Sequence, residues 1–142
     1  MRKIEIFKPI VKELCKKYDI SIRWNDFGDQ RKDGLIYWWA DPERRVILVP
    51  NPKTAYRFLI YLHEIGHIVR GVPNLYYMAE YIAEEWAIKE AAKYGVRSTK
   101  YEKKAADLLI AYINHDINNG RTSKKRISKK VKKWIKKRTV FV

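Results

Sequence analysis

The sequence has few of the residues that cross-link a protein or anchor it in a membrane. It contains one cysteine, Cys15, so no disulfide can form within the chain, and a free thiol fits a reducing compartment. No apolar run approaches the roughly 18 residues that a membrane span requires. Residues 1–5 also lack the hydrophobic stretch of a secretory signal. We therefore expect a cytoplasmic protein without a membrane span.

Acidic residues are missing from one end of the chain. None follows Asp116, whereas eleven of the 31 lysines and arginines lie within residues 121–138. The rest of the chain has 20 basic and 16 acidic residues, which is only +4 of the net charge of +15. A chain of 142 residues suits one domain with a single core. We predict one folded domain over residues 1–120 and a basic helical extension over residues 121–142.

Histidine is scarce as well, and two of the three histidines stand in one pentapeptide, HEIGH, at residues 63–67. Residues four apart lie on one face of a helix, so His63 and His67 can direct ring nitrogens at one metal ion. Glu64 is the next residue after His63 and can reach a water molecule at that metal. This is the H-E-x-x-H pattern, in which two imidazoles hold Zn²⁺ and the carboxylate is the general base. Two unconnected histidines on a surface helix are the alternative.

Hydrophobic periodicity predicts an α+β fold. We expect a minimal zincin domain, in which a small sheet of about three strands packs on the H-E-x-x-H helix and on the helices after it. Alternating apolar residues predict a strand over residues 20–24, and two β-rich runs predict strands over residues 35–40 and 45–49 that form a hairpin. The polar residues 25–34 between them are predicted to form a loop.

Helical spacing predicts the remaining elements. The first helix is expected over residues 9–18, with Pro9 in its first turn. The H-E-x-x-H helix ends near Arg70, and Asn74 is a candidate cap for the helix after it. In the basic segment, a narrow apolar stripe predicts a last helix; its members are Ile127, Val131, Trp134 and Ile135.

A zinc site that keeps one position for water needs a third protein ligand. The remaining histidine, His115, lies 48 residues beyond His67, whereas Glu80, Glu84 and Glu85 stand on the next predicted helix. In a helical hairpin Glu80 matches the height of His67, and Glu84 lies about 6 Å further along the same face. We predict that Glu80 is the third ligand and that Glu84 accepts a hydrogen bond from a ligand histidine. Glu84 stays open as the alternative ligand, and a solvated acidic face is the alternative for both.

Two segments together resemble ImmA/IrrE-type metallopeptidases, which are gluzincin-like zinc enzymes. HEIGHIVRG at residues 63–71 resembles their H-E-[LI]-G-H-x-x-x-G helix, and EYIAEEWA at residues 80–87 resembles their E-x-E-A-[ND]-x-[FW]-A element. The resemblance implies that Glu80 is the third zinc ligand and that Glu84 stands at the supporting Asn/Asp position. Ile82 replaces the family's second glutamate. Such proteins occur in phages, mobile elements and bacteria, and they act on or relieve DNA-bound repressors.

These residues predict a zinc metalloendopeptidase. Glu64 would take a proton from the metal-activated water and pass it to the leaving amine. A transition-state oxyanion also needs a hydrogen-bond donor, and His115 and Tyr112, one helical turn apart, are candidates. Each is more simply explained as an ordinary residue of its helix. The expected substrate is a peptide bond in a DNA-associated regulatory protein.

The basic segment has three interpretations. It can contact nucleic-acid phosphates, with Trp134 stacking on a base. It can lie on an anionic membrane surface, or it can be a soluble helix docked through its apolar stripe. The candidate nucleic-acid-binding residues are Lys124, Lys125, Arg126, Lys129, Lys130, Lys132, Lys133, Lys136 and Lys137.

A second class of function competes with the enzyme. The protein could bind nucleic acid while its zincin site is only structural or vestigial. Glu64 favours the enzyme, because a purely structural metal does not require a general base beside its ligands.

Overall fold

The computed structural model describes residues 2–30 and 36–139 and has an α+β fold. Among the described residues, five α-helices, a short 3₁₀ helix and five short strands follow one another along the chain. In order they are α1 (Lys3–Lys17), β1 (Ser21–Trp24), β2 (Asp29–Gln30), β3 (Ile36–Tyr37), β4 (Trp39–Asp41), β5 (Val46–Val49), α2 (Ala55–Arg70), α3 (Tyr76–Lys93), α4 (Thr99–Asn118), the 3₁₀ helix (Lys124–Arg126) and α5 (Lys129–Thr139).

The main sheet has three strands in the order β1-β5-β4. β4 and β5 pair antiparallel, which confirms the predicted hairpin, and β1 pairs parallel with β5. The predicted strand over residues 35–40 is divided, because β3 leaves this sheet and pairs with β2. β2 falls in residues predicted to form a loop, and that part of the prediction is wrong. Leu35, the first residue of the predicted strand, lies outside the described residues.

The core is formed where this sheet and α1 pack on α2. Phe58, Tyr61, Leu62 and Ile65 of α2 are fully buried. They pack in one cluster with the buried residues of β5 and α1, and the Tyr61 ring lies 5.3 Å from that of Trp24. This confirms the predicted small sheet packed on the helix that carries both histidines.

Helix α1 begins at Lys3, six residues before its predicted start. Pro9 therefore lies inside the helix and not in its first turn. Proline removes one hydrogen bond to the carbonyl four residues earlier, here that of Glu5. Both residues are exposed, so water can hydrate that carbonyl. The apolar stripe through Phe7 and Val11, which stacks Phe7 on Phe58 of α2, stabilises the helix on both sides of the proline.

Helix α3 is capped from another helix. Its N-cap residue is Leu75, which offers no side-chain hydrogen bond, so the predicted Asn74 cap is wrong. The backbone N–H of Tyr77 instead donates to Oδ2 of Asp116 over 2.9 Å. Asp116 is fully buried near the end of α4. The α2–α3 turn is thereby attached to a residue that lies 39 positions away in the chain.

Helix α5 docks on the same core through its apolar stripe. Val131 and Trp134 are buried, as the stripe predicts, and Ile135 is half-buried. Ile127 is predicted on the same helix; it is buried but precedes α5, because the chain forms the 3₁₀ helix first and α5 begins only at Lys129. The Trp134 ring meets Tyr81 of α3 edge-on at 5.9 Å. Arg138 forms an ion pair with the buried Glu102 of α4 at 3.0 Å. Within the described ranges, no helix is long and apolar enough to cross a membrane.

Candidate metal centre

The site depends on an unusually close approach of α2 and α3. Gly66 lies between the two histidines, and a Cβ atom placed there would stand 3.0 Å from the carbonyl oxygen of Ala83 and 3.3 Å from Trp86. A contact of 3.0 Å is shorter than side chains normally allow. The glycine therefore lets the two helices touch at the level where His63 and His67 face Glu80.

His63, His67 and Glu80 converge on one point. Each offers a ligand atom, and these atoms all lie within 4.8 Å of one another. The Nε2 atoms of the two histidines are 3.0 Å apart. The oxygens of Glu80 lie 2.9 Å from Nε2 of His63 and 3.3 Å from Nε2 of His67. Donor atoms bound to one tetrahedral zinc at 2.0–2.1 Å stand about 3.3 Å apart, so this set fits the ion.

The hydrogen bonding of His63 also fits a cation at this point. Its Nδ1 lies 2.7 Å from Oε1 of Glu84, so Nδ1 carries a hydrogen toward that carboxylate. Its Nε2 faces an oxygen of Glu80 and Nε2 of His67, 2.9 and 3.0 Å away. Contacts this short between two ring nitrogens and a carboxylate require a proton or a metal ion among them. Glu84 lies beside His63 and outside the group of three, and its role toward a metal ligand stays a prediction.

The charges of these groups are strongly coupled. Burial works to lower the pKa of His63, but the charges of Glu84 and Glu80 outweigh it and hold that pKa well above its ordinary value. For Glu80 burial works to raise the pKa, and the charge of His63 with hydrogen bonds from both histidines brings it below the ordinary value. Burial raises the pKa of Glu64, and the nearby histidines only partly counter this.

Glu64 stands next to the convergence point without joining it. Its side chain is buried, and Oε1 lies 3.8 Å from Nε2 of His63. This is too far for a hydrogen bond but close enough to share a water molecule with an ion held by Nε2. A carboxylate in this position can accept a proton from such a water.

Tyr101 is a member of the site that the sequence patterns did not predict. It lies in the first turn of α4, is almost fully buried, and donates its hydroxyl hydrogen to Oε1 of Glu84 over 2.5 Å. No motif includes it, because it is 17 residues from Glu84 and belongs to another helix. The only available signal was a tyrosine on the predicted apolar face of α4, and that signal is shared by ordinary core residues.

The predicted oxyanion donors occupy other surroundings. His115 is exposed near the end of α4, where its ring lies 5.5 Å from that of Tyr76 and its carbonyl accepts from Asn119. It does not belong to the His63–His67–Glu80 group. Tyr112 is half-buried and packs against the core. For both residues a role in catalysis stays a prediction.

The nine predicted nucleic-acid-binding residues are all exposed, on the 3₁₀ helix and on α5. Lys130 forms an ion pair with Glu85 at 3.6 Å, and Lys132 donates to the carbonyl of Lys124. Trp134 is only 9% exposed, and the Arg138 guanidinium lies 4.0 Å from its ring centre. The expectation that Trp134 stacks on a base is therefore wrong, because its ring is already covered.

Comparisons with protein-family models, with curated proteins and with solved structures found no match for this chain. The resemblance to ImmA/IrrE-type metallopeptidases accordingly stays a prediction that rests on the two short motifs.

Proposed function

We propose that this protein is a zinc-dependent metallopeptidase with a minimal zincin arrangement. The observation that carries the proposal is the convergence of His63, His67 and Glu80 with the buried Glu64 beside them. Zinc bound there would supply a Lewis acid that activates water and polarises a peptide carbonyl. A structural site would not need a buried carboxylate in this position, and for that reason we favour the enzyme.

The residues of the chain divide the work as follows. His63, His67 and Glu80 hold the ion and leave one position for water or substrate. Glu64 accepts the proton of the attacking water and delivers it to the departing amine. Glu84 keeps the Nδ1–H of His63 in place, which directs Nε2 toward the ion.

We propose nucleic acid as a second partner, bound through α5 and the 3₁₀ helix before it. The supporting observation is that the apolar side chains of this segment are buried while its nine predicted contact residues are exposed. Such a surface attracts phosphates without reading sequence. A DNA-associated regulatory protein is the substrate that would suit both features. The cytoplasm is the location that we propose, since the buried Cys15 is a free thiol.

The zinc peptidase can be tested with two substitutions and one control. We expect wild-type protein and Glu64→Gln to carry one zinc per chain in metal analysis, and Glu80→Ala to lose it. Glu64→Gln should cut peptide-library cleavage about 10²–10⁴-fold, because the amide cannot accept the proton. Glu90→Ala is the matched control, since Glu90 lies on the same helix α3 and forms an ion pair with Lys93, outside the metal centre.

Two results would contradict the proposal. Cleavage by Glu64→Gln at the wild-type rate would remove Glu64 as the base, and unchanged zinc binding by Glu80→Ala would remove Glu80 as a ligand. A wild-type protein that holds zinc, cleaves no peptide and binds duplex DNA in a salt-sensitive manner would support the alternative of a nucleic-acid-binding protein with a structural site.

A further inference from the structure

We infer that Tyr101 is a positioning residue for the metal centre, which acts on His63 through Glu84. The inference rests on the proposed metal centre and goes beyond its ligands. Tyr101 belongs to α4, whereas the ligands and Glu84 belong to α2 and α3. It is therefore the residue through which a third helix reaches the site.

Tyr101 and His63 are linked through one oxygen atom of Glu84. Oε1 of Glu84 accepts from Nδ1 of His63 over 2.7 Å and from the hydroxyl of Tyr101 over 2.5 Å. Both lengths are typical of hydrogen bonds to a charged carboxylate, which are stronger than those between neutral groups. A carboxylate oxygen has two lone-pair sites, so both are used. Glu84 is only 5% exposed, which leaves little room for water to replace either partner.

Tyr101 is itself held firmly. Its backbone N–H donates to Oγ of Ser98, the N-cap of α4, and its ring packs edge-on against Tyr56 at 5.4 Å. The next residue, Glu102, is buried between Arg97 and Arg138, which approach its two oxygens at 2.9 and 3.0 Å. The first turn of α4 is thus fixed from three sides, and the hydroxyl of Tyr101 is a rigid donor.

A rigid donor matters because a carboxylate can rotate. If His63 were its only hydrogen-bond partner, the Glu84 carboxylate could rotate together with the imidazole ring. The second bond fixes the position of Oε1, and Oε1 in turn fixes the ring plane of His63. The direction of Nε2 toward Glu80 and His67 then no longer depends on the histidine's own side-chain torsions. Partners of this kind commonly change metal affinity when they are removed.

The test compares two Tyr→Phe substitutions in the full-length chain. Tyr101→Phe removes the bond to Glu84, and Tyr81→Phe removes a similar buried bond, from its hydroxyl to Oε2 of Glu85 at 2.6 Å. We would measure zinc affinity by competition with a chromogenic chelator, well below the melting temperature of each metal-free variant. Tyr101→Phe should bind zinc about tenfold more weakly, the low end of the range for such partners. Tyr81→Phe should stay within about twofold of wild type, since it contacts none of these groups.

A second readout separates positioning from stability. Cobalt can replace zinc, and its visible absorption reports the geometry of the ligands, so Tyr101→Phe should change that spectrum and Tyr81→Phe should not. Equal zinc affinity and an unchanged cobalt spectrum in Tyr101→Phe would overturn the inference, even if its melting temperature fell. Equal weakening by both substitutions would also overturn it, because the effect would then be general loosening.

The outcomes distinguish this inference from the proposed function. Wild-type protein that binds no zinc would overturn the metal centre and the role of Tyr101 together. Wild-type protein that binds zinc but cleaves no peptide would contradict the peptidase alone, and the affinity comparison would still decide the role of Tyr101.

Discussion

The candidate metal centre and helix α5 use ionisable side chains in opposite ways. At the candidate centre the side chains of Glu64 and Glu84 are 6% and 5% exposed, and they lie among histidines and a tyrosine. On α5 and the preceding 3₁₀ helix the charges are all positive and the nine predicted contact residues are exposed. There the apolar side chains, Val131 and Trp134 among them, face the core.

This difference predicts where a single substitution will change stability or metal binding. A buried ionisable group depends on a few named partners, and removing one leaves the other uncompensated at a large cost. An exposed lysine is solvated by water, so its loss changes the free energy of unfolding only slightly. The metal centre should therefore respond sharply to single changes, whereas α5 should respond to the loss of its apolar residues or to several charge changes together.

The largest effect on stability should come from deleting residues 121–142. The deletion removes the burial of Ile127, Val131 and Trp134, and at about 1.5–3 kcal/mol for each side chain this amounts to roughly 4.5–9 kcal/mol. That is comparable with the whole free energy of unfolding of a small domain. We expect the shortened chain to lose its cooperative thermal transition or to aggregate, as followed by circular dichroism and light scattering. A melting temperature within a few degrees of the full-length value would contradict the docking of α5.

A smaller effect is expected where α2 and α3 touch. Gly66→Ala places a methyl group 3.0 Å from the backbone oxygen of Ala83, so the helices must separate slightly. Overpacking typically costs 1–3 kcal/mol, and the higher helix propensity of alanine returns about 1 kcal/mol. We expect a net loss of up to about 2 kcal/mol in the free energy of unfolding measured with denaturant, together with weaker zinc binding.

The control for that substitution is Ala111→Gly, on the exposed face of α4, which measures helix propensity alone. It should cost about 1 kcal/mol and leave zinc affinity unchanged. If Gly66→Ala raised the stability and kept the zinc affinity, the close approach of the two helices would not be needed for the site.

The smallest effect on stability should come from the charges of α5 and of the 3₁₀ helix before it. We expect Lys125, Lys129 and Lys133 changed together to glutamine to leave the free energy of unfolding within about 0.5 kcal/mol, since all three side chains are exposed. Binding of labelled duplex DNA should nevertheless weaken. The slope of log affinity against log salt should fall by about 0.9 for each phosphate that the protein no longer neutralises.

The matched control changes Lys3, Lys12 and Lys16 of α1, which are also exposed, and removes the same charge elsewhere on the surface. Equal weakening of DNA binding by both triple substitutions would show that net charge alone is responsible. The phosphate surface proposed for α5 would then be withdrawn.

The sequence alone was enough to predict the features that depend on residue spacing within one helix or strand. The four-residue interval between His63 and His67 predicts a shared helix face, and both ring nitrogens do meet on one side of α2. The β-branched apolar run over residues 45–49 predicts the central strand β5, and the apolar stripe of α5 predicts its buried side. These patterns succeed because side-chain direction in a helix or strand is set by local geometry.

Contacts between helices that are far apart in the chain could be seen only in the tertiary structure. The stripe of α1 extends past Pro9 because Phe7 packs on Phe58. Asp116 caps α3 because the end of α4 packs beside it, and Tyr101 reaches Glu84 because α4 crosses α3 at that level. No local pattern encodes such contacts, since their partners come together only when the core forms. Residue spacing therefore predicted the grouping of His63 and His67, and the packing of α4 brought Tyr101 to Glu84.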